Sequence, residues 1–162
     1  MTGLNRKATT VADLLKRSGQ TIAVAESSGG GLISASLVAV PGASAYYVGG
    51  AIVYTRAAQR GLLSVPDVVM VDMRASTEAY ALLNARTIRE TLNTTWGLGE
   101  SGASGPTGNS YGDRAGHTCI AVSGPVERML TVETGGTGRE ANMWAFTGAA
   151  LDLLEECLRE TP

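Results

Sequence analysis

Apolar and polar positions follow each other along this chain with two spacings, one typical of helices and one typical of buried strands. Val11, Leu14 and Leu15 fall on one face at helical spacing, whereas residues 21–27 form a short apolar run rich in β-branched side chains. The two spacings together predict helices at 8–18, 30–40, 56–63, 75–92 and 138–160, and strands at 21–27, 46–55, 94–102, 117–124 and 127–135. Helices and strands therefore alternate over most of the chain.

The order of these elements predicts the fold class. Two strands connected by a helix are expected to lie parallel in one sheet, because the crossover brings the chain back to the same edge. The last two strands flank Gly124 and Pro125, which indicates an antiparallel hairpin. We therefore expect an α/β fold, a three-layer α/β/α sandwich with a mixed, mostly parallel sheet of about five strands, formed as a single domain by residues 1–162.

Composition and charge limit the classes of binding partner that we expect for this protein. Hydrophobic residues make up 44% and charged residues 17% of the chain, and the formal net charge is -2, which argues against nucleic-acid binding. Cys119 and Cys157 lie in no CxxC or Cys/His cluster, so we expect neither a metal site nor a metal cofactor. No N-terminal signal pattern or long uncharged apolar stretch is present, so we expect a cytoplasmic protein without a membrane partner.

Polar and small residues follow the first predicted strand. Glu26, Ser27 and Ser28 come directly before three glycines at 29–31, and the next helix begins there. Ligands of open α/β sheets bind at the carboxyl ends of parallel strands, and a helix N-terminus with close-approaching glycines suits a phosphate. The alternative is that a serine only caps the helix and the glycines only allow tight packing.

A second stretch of the same character follows the strand at 94–102. Residues 100–110 read "ESGASGPTGNS", and the segment 102–116 is too rich in Gly, Ser, Asn and Pro to be regular. Two glycine-rich loops at the ends of neighbouring strands can converge on one pocket. An ordinary surface loop is the alternative.

Several segments, read in order, resemble one family, the C-terminal domain of the competence/damage-inducible protein CinA, also known as nicotinamide-nucleotide amidohydrolase. Five segments of this chain are similar to patterns of that family. In chain order the family patterns are A-E-S-C-T-G-G, P-G-A/S-S followed by an aromatic and G-G, Y-S-N-x-x-K, V-S-x-E and S/T-G-x-A-G-P-x-G. The matching segments are "AESSGGG" (25–31), "PGASAYYVGG" (41–50), "YTRAAQ" (54–59), "ASTEAYA" (75–81) and "SGASGPTG" (101–108), and "GHTC" (116–119) and "TGR" (137–139) resemble later family segments. The resemblance covers almost the whole chain.

The resemblance implies a chemistry, the hydrolysis of the carboxamide of nicotinamide mononucleotide (NMN) to nicotinate mononucleotide and ammonia. It implies Ser27 as nucleophile, Tyr54 beside it, and a lysine at position 59 as base. It also implies a small nucleotide-like ligand, no cofactor, and self-association, with the aromatic residues Tyr46, Tyr47, Trp144 and Phe146 as candidates for either an interface or the core. The residues implied to hold the ligand or its phosphate are Glu26, Ser28, Gly29, Gly30, Gly31, Ser101, Gly102, Gly105 and Arg139.

The chain departs from the family pattern at the base. Position 59 is Gln59, whose amide cannot accept a proton near neutral pH. Glu26, Glu100 and His117 are the candidates to replace it; the alternative roles are a helix cap or a solvated partner for the two carboxylates and a structural role for the histidine. Further departures are Ser28-Gly29 for Cys-Thr, and Met143 and Trp144 where the family has basic residues. The sequence therefore favours an NMN amidohydrolase-like protein, with a catalytically impaired nucleotide binder or a structural module as alternatives.

Overall fold

The computed structural model describes residues 3–161, with side chains from Asn5 onwards. Helices and strands follow each other in the predicted order. Their bounds are α1 Gly3–Ser18, β1 Ile22–Glu26, α2 Leu32–Val38, β2 Tyr47–Ile52, α3 Arg56–Leu63, α4 Glu78–Leu92, β3 Trp96–Ala103, β4 His117–Ser123, β5 Arg128–Glu133 and α5 Arg139–Glu160. All ten predicted elements are present within these residues, and the three-layer α/β/α architecture is confirmed.

The ends of the helices differ from the predicted ends for local reasons. The α2 helix begins at Leu32 rather than at residue 30, because Gly30 and Gly31 have φ angles of 66° and 100° and cannot belong to it. The α4 helix begins at Glu78, since Thr77 is extended and its side chain accepts a hydrogen bond from the backbone N–H of Tyr80 at 3.2 Å. Thr77 is therefore the N-cap residue of α4.

The five strands form one sheet in the order β2-β1-β3-β4-β5. The β1 strand is parallel to both β2 and β3, and β4 is antiparallel to both of its neighbours, so four strands point one way and only β4 is reversed. The chain leaves β1 to form β2 on one side and returns to form β3 on the other. This reversal makes the carboxyl ends of β1 and β3 a topological switch point, where ligands bind in open α/β sheets.

The two faces of the sheet are covered differently. Helices α1, α2 and α5 bury the larger face with bulky side chains, including Leu15, Leu37 and Leu151, against Val24 and Leu98 of the sheet. Helices α3 and α4 cover the other face, where the sheet presents small residues. Tyr46 and Phe146 are buried on the bulky side, so those two aromatic residues belong to the core, whereas Trp144 is exposed.

The α4 helix lies unusually close to β3. A Cβ atom added to Gly99 would stand 2.1 Å from the backbone oxygen of Ala81. The repeated glycines of "WGLGESG" therefore serve packing, because any larger residue would push helix and strand apart. This tight contact fixes the end of β3, which carries one wall of the site described below.

Candidate functional site

A cleft of about 610 Å³ opens at the switch point between β1 and β3. Its size falls within the usual range for small-molecule sites, roughly 300–1,000 Å³. The residues that line it come from the ends of the parallel strands and from the loops that face them: Ser27, Val53, Tyr54, Thr55, Arg56, Met70, Met73, Arg74, Ala75, Ser76, Tyr80, Ser101, Gly102, Asn109 and Tyr111. Four of the residues named from the sequence, Ser27, Tyr54, Ser101 and Gly102, therefore share one cleft.

The Glu26 side chain occupies the N-terminus of α2. Its two carboxylate oxygens accept hydrogen bonds from the backbone N–H groups of Ile33 at 3.1 Å and Ser34 at 3.0 Å, and the residue is fully buried. A carboxylate in this position satisfies two amides that have no partner inside the helix and interacts favourably with the helix dipole. The helix terminus that would suit a phosphate already holds this carboxylate.

The Glu100 carboxylate fills the glycine-rich loop from the other side. One oxygen accepts hydrogen bonds from the backbone N–H groups of Ser27 at 3.0 Å and Gly29 at 2.8 Å. The other accepts from the hydroxyls of Ser28 and, at 2.7 Å, Thr118. Complete burial raises the pKa of Glu100, although all four donors act in the opposite direction. The donors of this loop therefore point at a side chain of the protein itself.

These two carboxylates change the interpretation of the opening motif. Glu26, Ser28 and Gly29 belong to a buried network behind the cleft, and none of them lines it. Gly30 and Gly31 pack elsewhere, since an added Cβ would meet Met143 at 2.7 Å and Ile52 at 3.1 Å. The N–H groups of Ser27, Gly29, Ile33 and Ser34 are thus occupied by carboxylates of the protein itself, and a phosphate-binding role for residues 26–31 stays a prediction.

The two glycine-rich loops do converge. The Ser104 hydroxyl donates to the carbonyl of Ser28 at 2.9 Å, and Glu100 reaches Ser28 from β3. On the cleft side, the Ser101 hydroxyl accepts the backbone N–H of Ser76 at 3.1 Å. Ser76 is buried and has a φ of 61°, which is strained for a serine. Such strain is common where a backbone is held in place for a ligand.

Arg139, at the start of α5, does not line the cleft itself but contacts Tyr54, which does. Its guanidinium donates to the Tyr54 hydroxyl at 2.6 Å and to the carbonyl of Gly105 at 2.5 Å. Both acceptors are neutral, and among the residues that the structure describes Arg139 forms no ion pair. The predicted residues Tyr54, Gly105 and Arg139 are therefore in direct contact, and the arginine keeps its positive charge uncompensated.

Gln59 lies apart from the cleft. It is fully buried and does not line the cavity. Its oxygen accepts a hydrogen bond from Arg56 at 3.0 Å, and its nitrogen donates to the Asn84 oxygen at 2.7 Å. The structure therefore brings Ser27 and Tyr54 to one cavity but holds the third predicted catalytic residue between α3 and α4.

His117 is a buried, doubly bonded histidine. Its Nδ1 lies 2.5 Å from a carboxylate oxygen of Glu133, and its Nε2 lies 2.9 Å from the carbonyl of Ser76. Burial alone would lower the pKa of His117, but Glu133, the Ser76 carbonyl and nearby Asp113 outweigh it, and the pKa is raised. Both ring nitrogens face oxygen atoms of the protein, and His117 does not line the cleft, so the ring is held in a structural position.

The far wall of the cleft contains residues that the sequence did not single out. Arg74 forms two hydrogen bonds with Asp113, at 2.7 and 3.2 Å, and its guanidinium lies 5.1 Å from the ring centre of Tyr111. The pKa of Asp113 is lowered by this arginine. Arg74 and Asp113 are far apart along the chain and lie in irregular segments, so no periodicity or motif marks them.

The described residues also limit other kinds of site. Within residues 3–161 no group of three or more His, Cys, Asp or Glu side chains is arranged to hold a metal ion. In the same part of the chain, no helix is long and apolar enough to cross a membrane.

Comparison with known proteins gives one consistent answer. A family model described as CinA C-terminal domain matches residues 4–158. A CinA-like protein of Parasynechococcus marenigrum is 39% identical over 153 residues, which are 93% of this chain and 36% of that protein. One of Gloeobacter violaceus is also 39% identical, over 88% of this chain and 34% of its own length. The chain thus spans about a third of the curated relatives that it matches.

Solved structures agree with the sequence relatives. A CinA superfamily protein of Klebsiella pneumoniae has a TM-score of 0.92 at 25% identity, covering 98% of this chain and 99% of that one. A competence/damage inducible protein of Agrobacterium tumefaciens has a TM-score of 0.89 at 24% identity, covering 98% and 97%. At that identity the second match supports the fold alone.

Proposed function

The chain belongs to the CinA C-terminal domain family, and from this premise we propose that its cleft binds a pyridine mononucleotide such as NMN, while Ser27 hydrolyses the carboxamide only slowly. The observation that carries the proposal is the contrast between two predicted catalytic positions. Ser27 lines the cleft, whereas Gln59, at the expected base position, is turned away from it between Arg56 and Asn84.

A serine hydroxyl needs a base to become a nucleophile, and each substitute base has another role here. Glu26 accepts two backbone amides of α2, and Glu100 accepts four donors. The two ring nitrogens of His117 contact Glu133 and the Ser76 carbonyl, and His117 does not line the cleft. None of these three groups hydrogen-bonds the Ser27 hydroxyl, so we expect binding to survive and the chemical step to be weak.

The phosphate of the ligand finds its best partner in Arg139. This arginine touches only the neutral acceptors Tyr54 and Gly105, so a phosphate would be its first anionic partner. A guanidinium binds phosphate through two parallel hydrogen bonds. Aromatic Tyr54 and Tyr111 on the cleft could then contact the pyridine ring.

A second candidate function is efficient amide hydrolysis with a substitute base. The observation that favours it is the position of Glu100, whose carboxylate lies 3.0 Å from the backbone nitrogen of Ser27. A rearrangement of the Ser27 region would then have to bring its hydroxyl to that carboxylate. The pKa of Glu100 is raised, in the direction that a general base near neutral pH requires.

The test measures NMN binding by calorimetry and ammonia release in the same samples. The variants are Ser27→Ala, Gln59→Lys, and Gln59→Lys combined with Arg56→Asn, because a lysine alone would stand beside the Arg56 guanidinium, 3.0 Å from the present Gln59 oxygen. Ser18→Ala, at the end of α1, is the matched control. We expect the wild type to bind NMN, and the double variant to release ammonia faster by about 10²-fold or more.

The outcomes separate the candidates. Absence of binding of both NMN and its hydrolysis product, nicotinate mononucleotide, by the folded wild type would refute the proposal. Fast ammonia release by the wild type that Ser27→Ala abolishes and Ser18→Ala leaves intact would favour the second candidate. Slow release that Ser27→Ala leaves unchanged would remove Ser27 from the mechanism.

A further inference from the structure

Arg56 begins a hydrogen-bond chain whose direction is fixed. A guanidinium only donates, so the Gln59 atom 3.0 Å from it must be the amide oxygen. The Gln59 nitrogen therefore donates to the Asn84 oxygen at 2.7 Å, and the Asn84 nitrogen remains as a donor. In the part of the chain that the structure describes, that nitrogen is the one buried side-chain nitrogen or oxygen without a hydrogen bond of normal geometry, although it lies near enough to the Tyr80 hydroxyl to act on the pKa of Tyr80. Each end of this hydrogen-bond chain thus ends in a donor group.

The Arg56 end of this series of hydrogen bonds lies on the cleft. Arg56 is among the lining residues, and its remaining contacts are the carbonyl of Val65 at 2.9 Å and a carboxylate oxygen of Asp67 at 2.8 Å. The same Asp67 oxygen accepts from Arg60 at 3.0 Å, so one carboxylate serves two guanidinium groups. The group formed by Arg56, Arg60 and Asp67 keeps a net positive charge, and the guanidinium of Arg56 has N–H groups left for a ligand.

The residue at position 59 determines what this arginine can do. A lysine there would place a second cation beside Arg56, whereas glutamine offers it an oxygen and orients its guanidinium. In the pattern Y-S-N-x-x-K, the positive charge stands at the place of Gln59, and in "YTRAAQ" it stands three residues earlier. The charge has moved from a side chain that could act as a base to one that stays protonated and binds anions.

We propose that Arg56, held in place by Gln59, makes the cleft selective for a pyridine mononucleotide that bears a carboxylate in place of the carboxamide. This inference rests on the proposed function and names its ligand class more narrowly. A carboxylate is acceptor-only and can take hydrogen bonds from a guanidinium on both oxygens, whereas a carboxamide has a single acceptor oxygen, and its NH₂ group finds no partner on a group that only donates. The preferred ligand is then the product form of amide hydrolysis, which agrees with a weak chemical step.

The test compares nicotinic acid mononucleotide with NMN by calorimetry, because the two differ only at the carboxylate or carboxamide. We expect the wild type to bind nicotinic acid mononucleotide about tenfold or more tightly than NMN. Arg56→Gln should bring the two affinities to within about twofold of each other. Arg60→Gln is the matched control, since Arg60 shares Asp67 but does not line the cleft, and it should keep the wild-type ratio.

Each result distinguishes this inference from the function on which it rests. Equal binding of the two mononucleotides by the wild type, or tighter binding of NMN, would overturn the inference and leave the proposed function standing. An equal loss of preference in Arg56→Gln and Arg60→Gln would overturn the assignment to Arg56. Failure of both ligands to bind the folded wild type would overturn the proposed function and this inference with it. The comparison of the two mononucleotides with the wild type tests the ligand preference even if Arg56→Gln does not fold.

Discussion

Glu26 and Glu100 allow a sharp test, because the same isosteric change should have opposite consequences at the two sites. Both side chains are completely buried next to the same loop, and neither touches a basic side chain. The hydrogen-bond donors around the two carboxylates differ in kind. Glu26 faces two backbone amides, whereas Glu100 faces two backbone amides on one oxygen and two hydroxyls on the other.

Glu26→Gln should be destabilising. The two oxygens of Glu26 each accept one backbone N–H, from Ile33 and Ser34, and backbone N–H groups cannot become acceptors. Whichever way the new amide turns, its NH₂ group faces one of these donors. One buried N–H is then left unpaired and the charge at the start of α2 is lost, so we expect a cost of about 2–4 kcal/mol.

Glu100→Gln should be tolerated. The amide oxygen can keep the N–H groups of Ser27 and Gly29, while the new NH₂ donates to the hydroxyls of Ser28 and Thr118, which can rotate to accept. The change also removes a buried carboxyl group whose ionised form is disfavoured by burial, as its raised pKa indicates. We expect a free energy of unfolding within about 1 kcal/mol of the wild type or higher.

The pH dependence provides a second, independent reading. The folded-state pKa of Glu100 lies above its ordinary value of 4.5, so the folded wild type takes up a proton before the unfolded chain does. Wild-type stability therefore gains relative to Glu100→Gln as the pH falls towards 4.5, and any advantage of the variant is largest at neutral pH. The assay is urea unfolding of both variants between pH 4.5 and pH 8. A Glu100→Gln cost equal to or larger than that of Glu26→Gln would refute the reasoning.

Two further predictions concern packing and charge. Gly99→Ala should lower the free energy of unfolding by about 2–3 kcal/mol or more, because the new Cβ would stand 2.1 Å from the Ala81 oxygen. Gly61→Ala, in α3 with nothing within 4 Å of the new Cβ, should raise the free energy of unfolding by about 0.5–1 kcal/mol. Thermal unfolding checks both variants, and equal effects would contradict this prediction. His117→Asn should be less stable than the wild type mainly below pH 6.5. The pKa of His117 is raised in the folded state, so its contribution to stability is complete below pH 6.5 and disappears as the pH rises through the folded-state pKa. Urea titrations check this, and a stability difference that grows with pH would contradict it.

The elements were predictable because their signals are local. The α3 helix, for example, has the predicted bounds, since Thr55 accepts the backbone N–H of Ala58 at 3.1 Å and the apolar face lies within eight residues. Ser27 and Tyr54, which the family resemblance implies as site residues, line one cavity. The carboxylate network was not predictable in this way: Glu100 is 73 residues from Ser27, and the pairing of β1 with β3 alone brings them together. The same holds for the contact between Arg74 and Asp113.

A glycine-rich strand-to-helix loop indicates an anion, but its sequence does not say whether that anion comes from a ligand. Here Glu26, at the end of β1, and Glu100, within the neighbouring parallel strand β3, supply it from within the protein. The consequence is that an anionic ligand has to be met by arginines instead of by the amides that these carboxylates occupy. Arg74 forms two hydrogen bonds with Asp113, whereas Arg56 on α3 shares the Asp67 carboxylate with Arg60. Arg139 on α5 contacts the cleft residue Tyr54 and forms no ion pair among the described residues. Two positive groups on different elements suit a ligand with two anionic ends, and a pyridine mononucleotide has two only when its ring carries a carboxylate beside the phosphate.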